Sequence, residues 1–170
     1  MTSIESLNRM SEAQFCAALD GLFEQSPWVV ARAAARRPFA SHQALLEACQ
    51  AVVQQADGEQ QLALLRAHPP LGIRAGEPAA LTGASRSEQA RAGLDRCTPE
   101  QFARLRQLNA AYNERFGFPF ILAVRGHTPT SVIAALEQRV THELHQERGQ
   151  ALRQVCQIAA YRFQDRVGIT

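Results

Sequence analysis

Lysine is missing altogether: the 18 basic residues are all arginine, set against 16 acidic ones. A chain without lysine forms no internal Schiff base, anchors no pyridoxal phosphate in the usual way and supplies no P-loop amine. Those enzyme classes are excluded. Cysteine is sparse and dispersed, and Cys16, Cys49, Cys97 and Cys156 include no CxxC pair. The expectation is free, buried thiols rather than a disulfide framework or a zinc site. No apolar run approaches the roughly eighteen residues of a membrane span, and the opening MTSIESLNRM lacks the basic, apolar, small-residue order of a signal peptide. A cytoplasmic protein with no membrane partner is expected. A net charge of +2 with scattered arginines gives no basic face, so no nucleic-acid partner is expected either.

What is present is apolar material at helical spacing. With 46% hydrophobic residues in 170, the chain can bury a sizeable core, and one domain over residues 1–170 is expected. Ser11 with Gln14 reads as a capping box before Phe15, Ala18, Leu19 and Leu22, a helix over about 12–23. Ser26-Pro27 opens a second helix that Arg37-Pro38 ends, and Ser41 caps a third that Asp57-Gly58 breaks. Residues 59–67 form a short helical piece that runs into His68-Pro69-Pro70. Leu71 to Ala84, rich in Gly, Pro and Ala, reads as a loop over the site. Helix resumes near Ser85 or Ser87 and ends about Asp95. Thr98-Pro99-Glu100-Gln101 is a strong start signal, and Phe102, Leu105, Leu108 or Asn109, Tyr112 and Phe116 then form a core-facing stripe. Gly and Pro within Phe116 to Val124 favour an extended connector over a strand. Thr128-Pro129 starts a helix to about Glu147 with Val132, Ile133, Leu136, Val140 and Leu144 inward, and a last helix covers about 150–166. The fold class is all-α, a compact single-domain bundle of about seven to nine helices.

Two stretches carry residues suited to chemistry. His68 ends a helical run and is followed by two prolines that restrict its backbone, as a site residue requires; the competing reading is an imidazole placed to complement a helix C-terminus. Ser85, Glu88 and Gln89 stand at i, i+3 and i+4, so they share one helical face near its start. They read either as a capping box with no further purpose or as a place for a small anionic, nitrogen-rich ligand. His142-Glu143-Leu144-His145 has its imidazoles one residue closer than the metalloprotease spacing, so no metal is expected. Arg37, Arg125 and Arg162 are candidates for a substrate carboxylate, and position alone does not choose among them.

Taken together, SPWVVARAAARRPF at Ser26, HPPLG at His68, SxxEQxxAGL from Ser85 to Leu94 and FGFPFI from Phe116 resemble the 2-oxo-4-hydroxy-4-carboxy-5-ureidoimidazoline (OHCU) decarboxylases, in order and over nearly the whole chain. The resemblance implies an all-helical single domain, no cofactor, a small-molecule substrate, stereospecific formation of (S)-allantoin in urate degradation and a homodimer. It makes His68 the catalytic acid and Glu88 its partner in catalysis. Pro69 becomes a pocket wall, Ser85, Arg86, Ser87, Glu88 and Gln89 the substrate-binding turn, and the backbone of Phe120, Ile121, Leu122, Ala123 and Val124 a further lining. Pro70 stands where many relatives carry an acidic residue. A helical binding protein, with the same stretches serving only as caps, is the competing class.

Overall fold

The computed structural model describes residues 2–72 and 81–168. Among them nine α-helices and one turn of 3-10 helix are formed and no strand: α1 (Ile4–Arg9), α2 (Glu12–Ala18), α3 (Trp28–Ala34), α4 (His42–Gln55), α5 (Gly58–Arg66), α6 (Gly83–Arg91), α7 (Pro99–Phe116), α8 (Pro129–Arg139) and α9 (Leu144–Val167), with the 3-10 turn at Leu94–Arg96. The all-α expectation holds. No helix among the described residues is long and apolar enough to cross a membrane.

The chain forms two compact units, one holding residues 2–67 and 155–168 of the described chain, the other residues 68–72 and 81–154. In the first unit, α2 and α4 each pack against α3. Its core includes Leu7, Phe15, Val29, Leu45, Val53 and Phe163, all essentially without exposed surface. Phe15 stacks on Phe39, and the Asn8 carboxamide both accepts from the Phe39 amide and donates to its carbonyl. Arg162 pairs with the buried Glu24 at 2.9 Å and also donates to the Gly21 carbonyl. Cys49 is buried, and burial pushes its thiol up to about 12, which leaves it inert at neutral pH.

The second unit contains α6, α7, α8 and the first part of α9. Its frame is α7, which begins at a complete capping box between Thr98 and Gln101 with Pro99 in the first turn. The expected stripe is buried at Phe102, Leu105, Leu108, Tyr112 and Phe116, while Asn109 is half-buried. Gly117, with φ of 78°, ends the helix in the left-handed region that suits glycine. The chain from Phe118 to Val124 is a connector rather than a helix or strand, and all of it but the half-buried Pro119 is buried.

Several boundaries differ from expectation for local reasons. The six-residue α1, with Leu7 as its one buried residue, is too short to show a period. Although Leu19 and Leu22 are buried as anticipated, α2 stops at Ala18 because Gly21 turns the chain at φ 80°. Ser26 does not cap α3; Pro27 holds that position and the Ser26 hydroxyl donates to the Glu24 carbonyl. Asp57 ends no helix passively, since its carboxylate accepts from the Gln60 amide and caps α5. Near the end of the chain, α8 stops at Arg139, and α9 starts at Leu144 and runs straight through Gly149. A glycine in a helix interior costs only about 1 kcal/mol, which packing of the flanking turns offsets. Leu144 is therefore a first-turn residue, 55% exposed, instead of an inward one, and Val140 is only half-buried. Most of the loop expected over the site, residues 73–80, lies outside the described residues, and its last two positions, Gly83 and Ala84, belong to α6.

Candidate active site

His68, Pro69, the Ser85 to Gln89 turn, the 120–124 strip and Arg125 all fall in the second unit, whereas Arg37 and Arg162 belong to the first. His68 comes two positions after the last residue of α5, and it is buried, at 6% exposure. A histidine that served only to complement a helix end would be expected to keep its charged form in water. The two prolines that follow it are half-buried, and Leu71 and Gly72 are buried.

The HPPLG turn is tied to α6 by one side chain. Gln89 accepts from the Gly72 amide at 3.1 Å and donates to the Pro70 carbonyl at 3.3 Å, so its carboxamide bridges the backbone across the turn. Gly72 has φ of 74°, and a Cβ there would lie 3.0 Å from Cδ1 of Leu105 on α7. Both facts require glycine. Gly72→Ala is expected to lose about 1–2 kcal/mol from the left-handed backbone alone, more if Leu105 has to move. Urea unfolding read by circular dichroism measures this, and an unchanged midpoint would contradict it.

The cap of α6 bears on the capping reading of the Ser85 turn. Thr82 is the N-cap, its hydroxyl accepting from the Ser85 amide at 3.2 Å. Ser85 is thus the third helical residue and is buried, with no role as the cap itself. The capping-box reading of Ser85 and Glu88 is incorrect, because the helix begins two residues earlier than the composition of Gly83-Ala84 indicates. Ser85 and Gln89 are buried one turn apart, Glu88 is half-buried, and Arg86 and Ser87 are exposed. The face of α6 turned inward is therefore the serine, carboxylate and carboxamide face, an unusual interior for a helix with so little apolar content.

Sequence reasoning treated α7 as structural, yet one of its faces organises the site. Leu105, Asn109, Tyr112 and Phe116 follow at spacings of four, three and four, so they line a single stripe. Leu105 abuts Gly72, and Asn109 donates from Nδ2 to the Leu71 carbonyl at 3.0 Å. Asn109 Oδ1 is buried and takes no hydrogen bond among the described residues. One turn further on, the Tyr112 ring meets Phe116, Phe118 and Phe120 at centroid distances of 4.6, 5.9 and 5.5 Å. The same stripe thus holds the HPPLG turn at one end and the FGFPFI segment at the other. The usable signal was a carboxamide inside an otherwise apolar stripe.

The 120–124 segment is fixed from two sides. Gln154 of α9 accepts from the Ala123 amide at 2.9 Å, which occupies that donor, and Arg139 of α8 donates from Nη1 to the Ile121 carbonyl at 2.5 Å. Beneath it lies a buried polar cluster that the sequence did not reveal. Glu147, with no exposed surface, accepts from the Tyr112 hydroxyl at 2.6 Å and from Arg139 Nε at 2.6 Å. Nη2 of Arg139 is 2.5 Å from the same oxygen, close enough to pair but not aligned as a hydrogen bond. His142 Nδ1 lies 3.1 Å from the other carboxylate oxygen. Burial, then the bond to Glu147, raises the Tyr112 phenol far above its ordinary value, so it remains a donor.

The second unit thus joins a buried imidazole on a proline-restricted turn to the polar face of α6, and α7 contacts both that turn and the 120–124 strip, which α8 and α9 hold. The sequence model of the family described as OHCU decarboxylase matches residues 8–164. The chain is 42% identical over 164 residues to the 2-oxo-4-hydroxy-4-carboxy-5-ureidoimidazoline decarboxylase of Haloferax volcanii, covering 96% of this chain and 95% of that protein. It is 36% identical over 165 residues to a uric acid degradation bifunctional protein of a Bacillus species, covering 97% of this chain and 32% of that longer one. Among solved structures, an (S)-allantoin synthase superposes with a TM-score of 0.75 at 32% identity, covering 96% of this chain and 54% of its own. The chain belongs to the OHCU decarboxylase family.

Proposed function

We propose that this protein converts 2-oxo-4-hydroxy-4-carboxy-5-ureidoimidazoline to (S)-allantoin in urate degradation, with His68 as the proton donor and without a cofactor. The observation that carries the reading is the Gln89 bridge, which holds the His68 turn against the polar face of α6. The family match supplies the substrate class. Losing CO2 breaks the bond between the carboxylate and C4 of the ring, and the electron pair passes into the ring C=N, whose nitrogen takes up a proton. The enol left at C4 then ketonises: its hydroxyl gives up a proton while C5 gains one on a single face. The electron sink is thus in the substrate, which suits a chain that has no lysine.

In this reading His68 delivers the proton to C5, and Glu88 orients the C4 hydroxyl or acts on the departing carboxylate. Ser85 contacts the polar edge of the ring, and Pro69 is a wall. Gln89 has most of its amide committed to the turn and acts chiefly by holding it, while Asn109 Oδ1 is an acceptor of the kind a ureido N–H would satisfy. Amides of the 120–124 strip other than that of Ala123 face the developing oxyanion, each well-placed donor being worth about 3–4 kcal/mol. The single domain, a homodimeric state and a cytoplasmic location complete the proposal.

The direct test is CO2 release from freshly generated substrate. The purified chain is expected to accelerate it well above the spontaneous rate and to be indifferent to prior treatment with a chelator. A rate no greater than the spontaneous one would remove the reading, and a chelator-sensitive rate would remove its cofactor-free form.

A further inference from the structure

The cluster of Tyr112, Arg139 and Glu147 joins α7, α8 and α9 within the second unit. A buried ion pair is weak evidence of stability, because the cost of desolvating both charges rivals their attraction, and apolar residues of the same volume would often serve as well. This pair, however, does more than join α8 to α9. The Arg139 guanidinium lies 4.5 Å from the Phe120 ring centroid, over its face, and donates to the Ile121 carbonyl. It thereby grips two successive residues of the strip that follows Pro119. Glu147 fixes the guanidinium through Nε, and the Tyr112 hydroxyl fixes Glu147 from the α7 stripe that also carries Asn109.

Orientation follows from the bonding. A carbonyl held by Arg139 at Ile121 and an amide held by Gln154 at Ala123 fix the peptide planes on both sides of Leu122. Neither plane can rotate without breaking a hydrogen bond that is buried at Ile121 and part-buried at Ala123, which costs more than breaking an exposed one. A strip whose backbone is to contact a reacting molecule needs this rigidity, because misplacement by about 1 Å can cost 10²-fold in rate.

We infer that Arg139, Glu147 and Tyr112 are positioning residues for the decarboxylation, setting the 120–124 backbone against the substrate through the Ile121 carbonyl and the Phe120 ring. The inference rests on the reading that this strip lines the substrate site.

The test replaces the ion pair by apolar side chains of similar length, Arg139→Met together with Glu147→Met, so that no buried charge is left unpaired. The paired variant is expected to keep the native circular dichroism spectrum while kcat/KM falls about tenfold to 10²-fold and the product loses part of its (S) excess. Restoring the pair from the double variant restores both. Wild-type kinetics and full stereospecificity in a folded double variant would overturn the assignment. Should the double variant fail to fold, Tyr112→Phe decides: it removes one hydrogen bond and keeps the ring, and a fall in kcat/KM of about three- to tenfold is expected, unchanged kinetics being contrary.

Leu122→Ala separates the two layers of the argument. A raised KM there beside wild-type kinetics in the double variant sinks the network alone, whereas no change in either removes the strip from the site and the inference with it. Arg104→Gln, which breaks the exposed pair with Glu137, is the control and should leave the kinetics unchanged.

Discussion

His68→Asn is expected to fold as the native chain does and to lose about 10²- to 10⁴-fold in kcat, the range for removing a positioned proton-transfer group. Asparagine fills much of the imidazole volume and keeps a polar end, so the Gln89 bridge to Pro70 and Gly72, which uses backbone atoms of the turn, is left intact. The loss should therefore fall on the chemical step, with KM changed far less than kcat. Thermal unfolding within a few degrees of the native protein would establish that the fold is retained. A purely structural histidine gives the opposite pattern, with lowered stability and retained turnover.

Glu88→Gln is expected to lower kcat by about 10²- to 10³-fold, the scale for deleting one group that acts on charge developing in the transition state. The substitution keeps shape and hydrogen-bonding reach but removes the negative charge. Glu88 is not the N-cap of α6, since Thr82 is, and thermal unfolding of the variant beside the parent separates any loss of stability from a loss of turnover. A fall in turnover at unchanged stability belongs to the reaction. Unchanged turnover would take the carboxylate out of the mechanism and leave Glu88 as a hydrogen-bonding group only. The two variants also separate from each other: His68→Asn is expected to cost the product its handedness as well as its rate, while Glu88→Gln should slow the reaction without altering that handedness.

Much of the fold was legible because its signals were local. The boxes at Ser11–Gln14 and Thr98–Gln101, the cap at Ser41 and the start at Thr128-Pro129 are all formed as the sequence indicates, each needing only three or four residues to specify it. What failed depended in part on packing between elements, and at Ser85 on a cap only three residues away. Gly149 reads as a break until the packing of α9 is known, and Ser85 reads as a cap until Thr82 is seen to hold that position. The candidate residues at His68, Ser85, Glu88 and Gln89 were visible as motifs, but the bridging role of Gln89 was not, because it links positions 17 and 19 apart. The Tyr112, Arg139 and Glu147 cluster was more deeply hidden. Its members are spread over three helices, and each taken alone looks like a stripe residue or a solvated charge.

The central claim is that this chain makes one enantiomer of allantoin by a proton delivered from His68. Circular dichroism followed during urate oxidation, with the native chain and the His68→Asn variant side by side, tests it most directly. The account predicts that the optical signal of (S)-allantoin grows with the native chain and is nearly lost with the variant. An equally fast signal from the variant, or an optically silent product from the native chain, would contradict it.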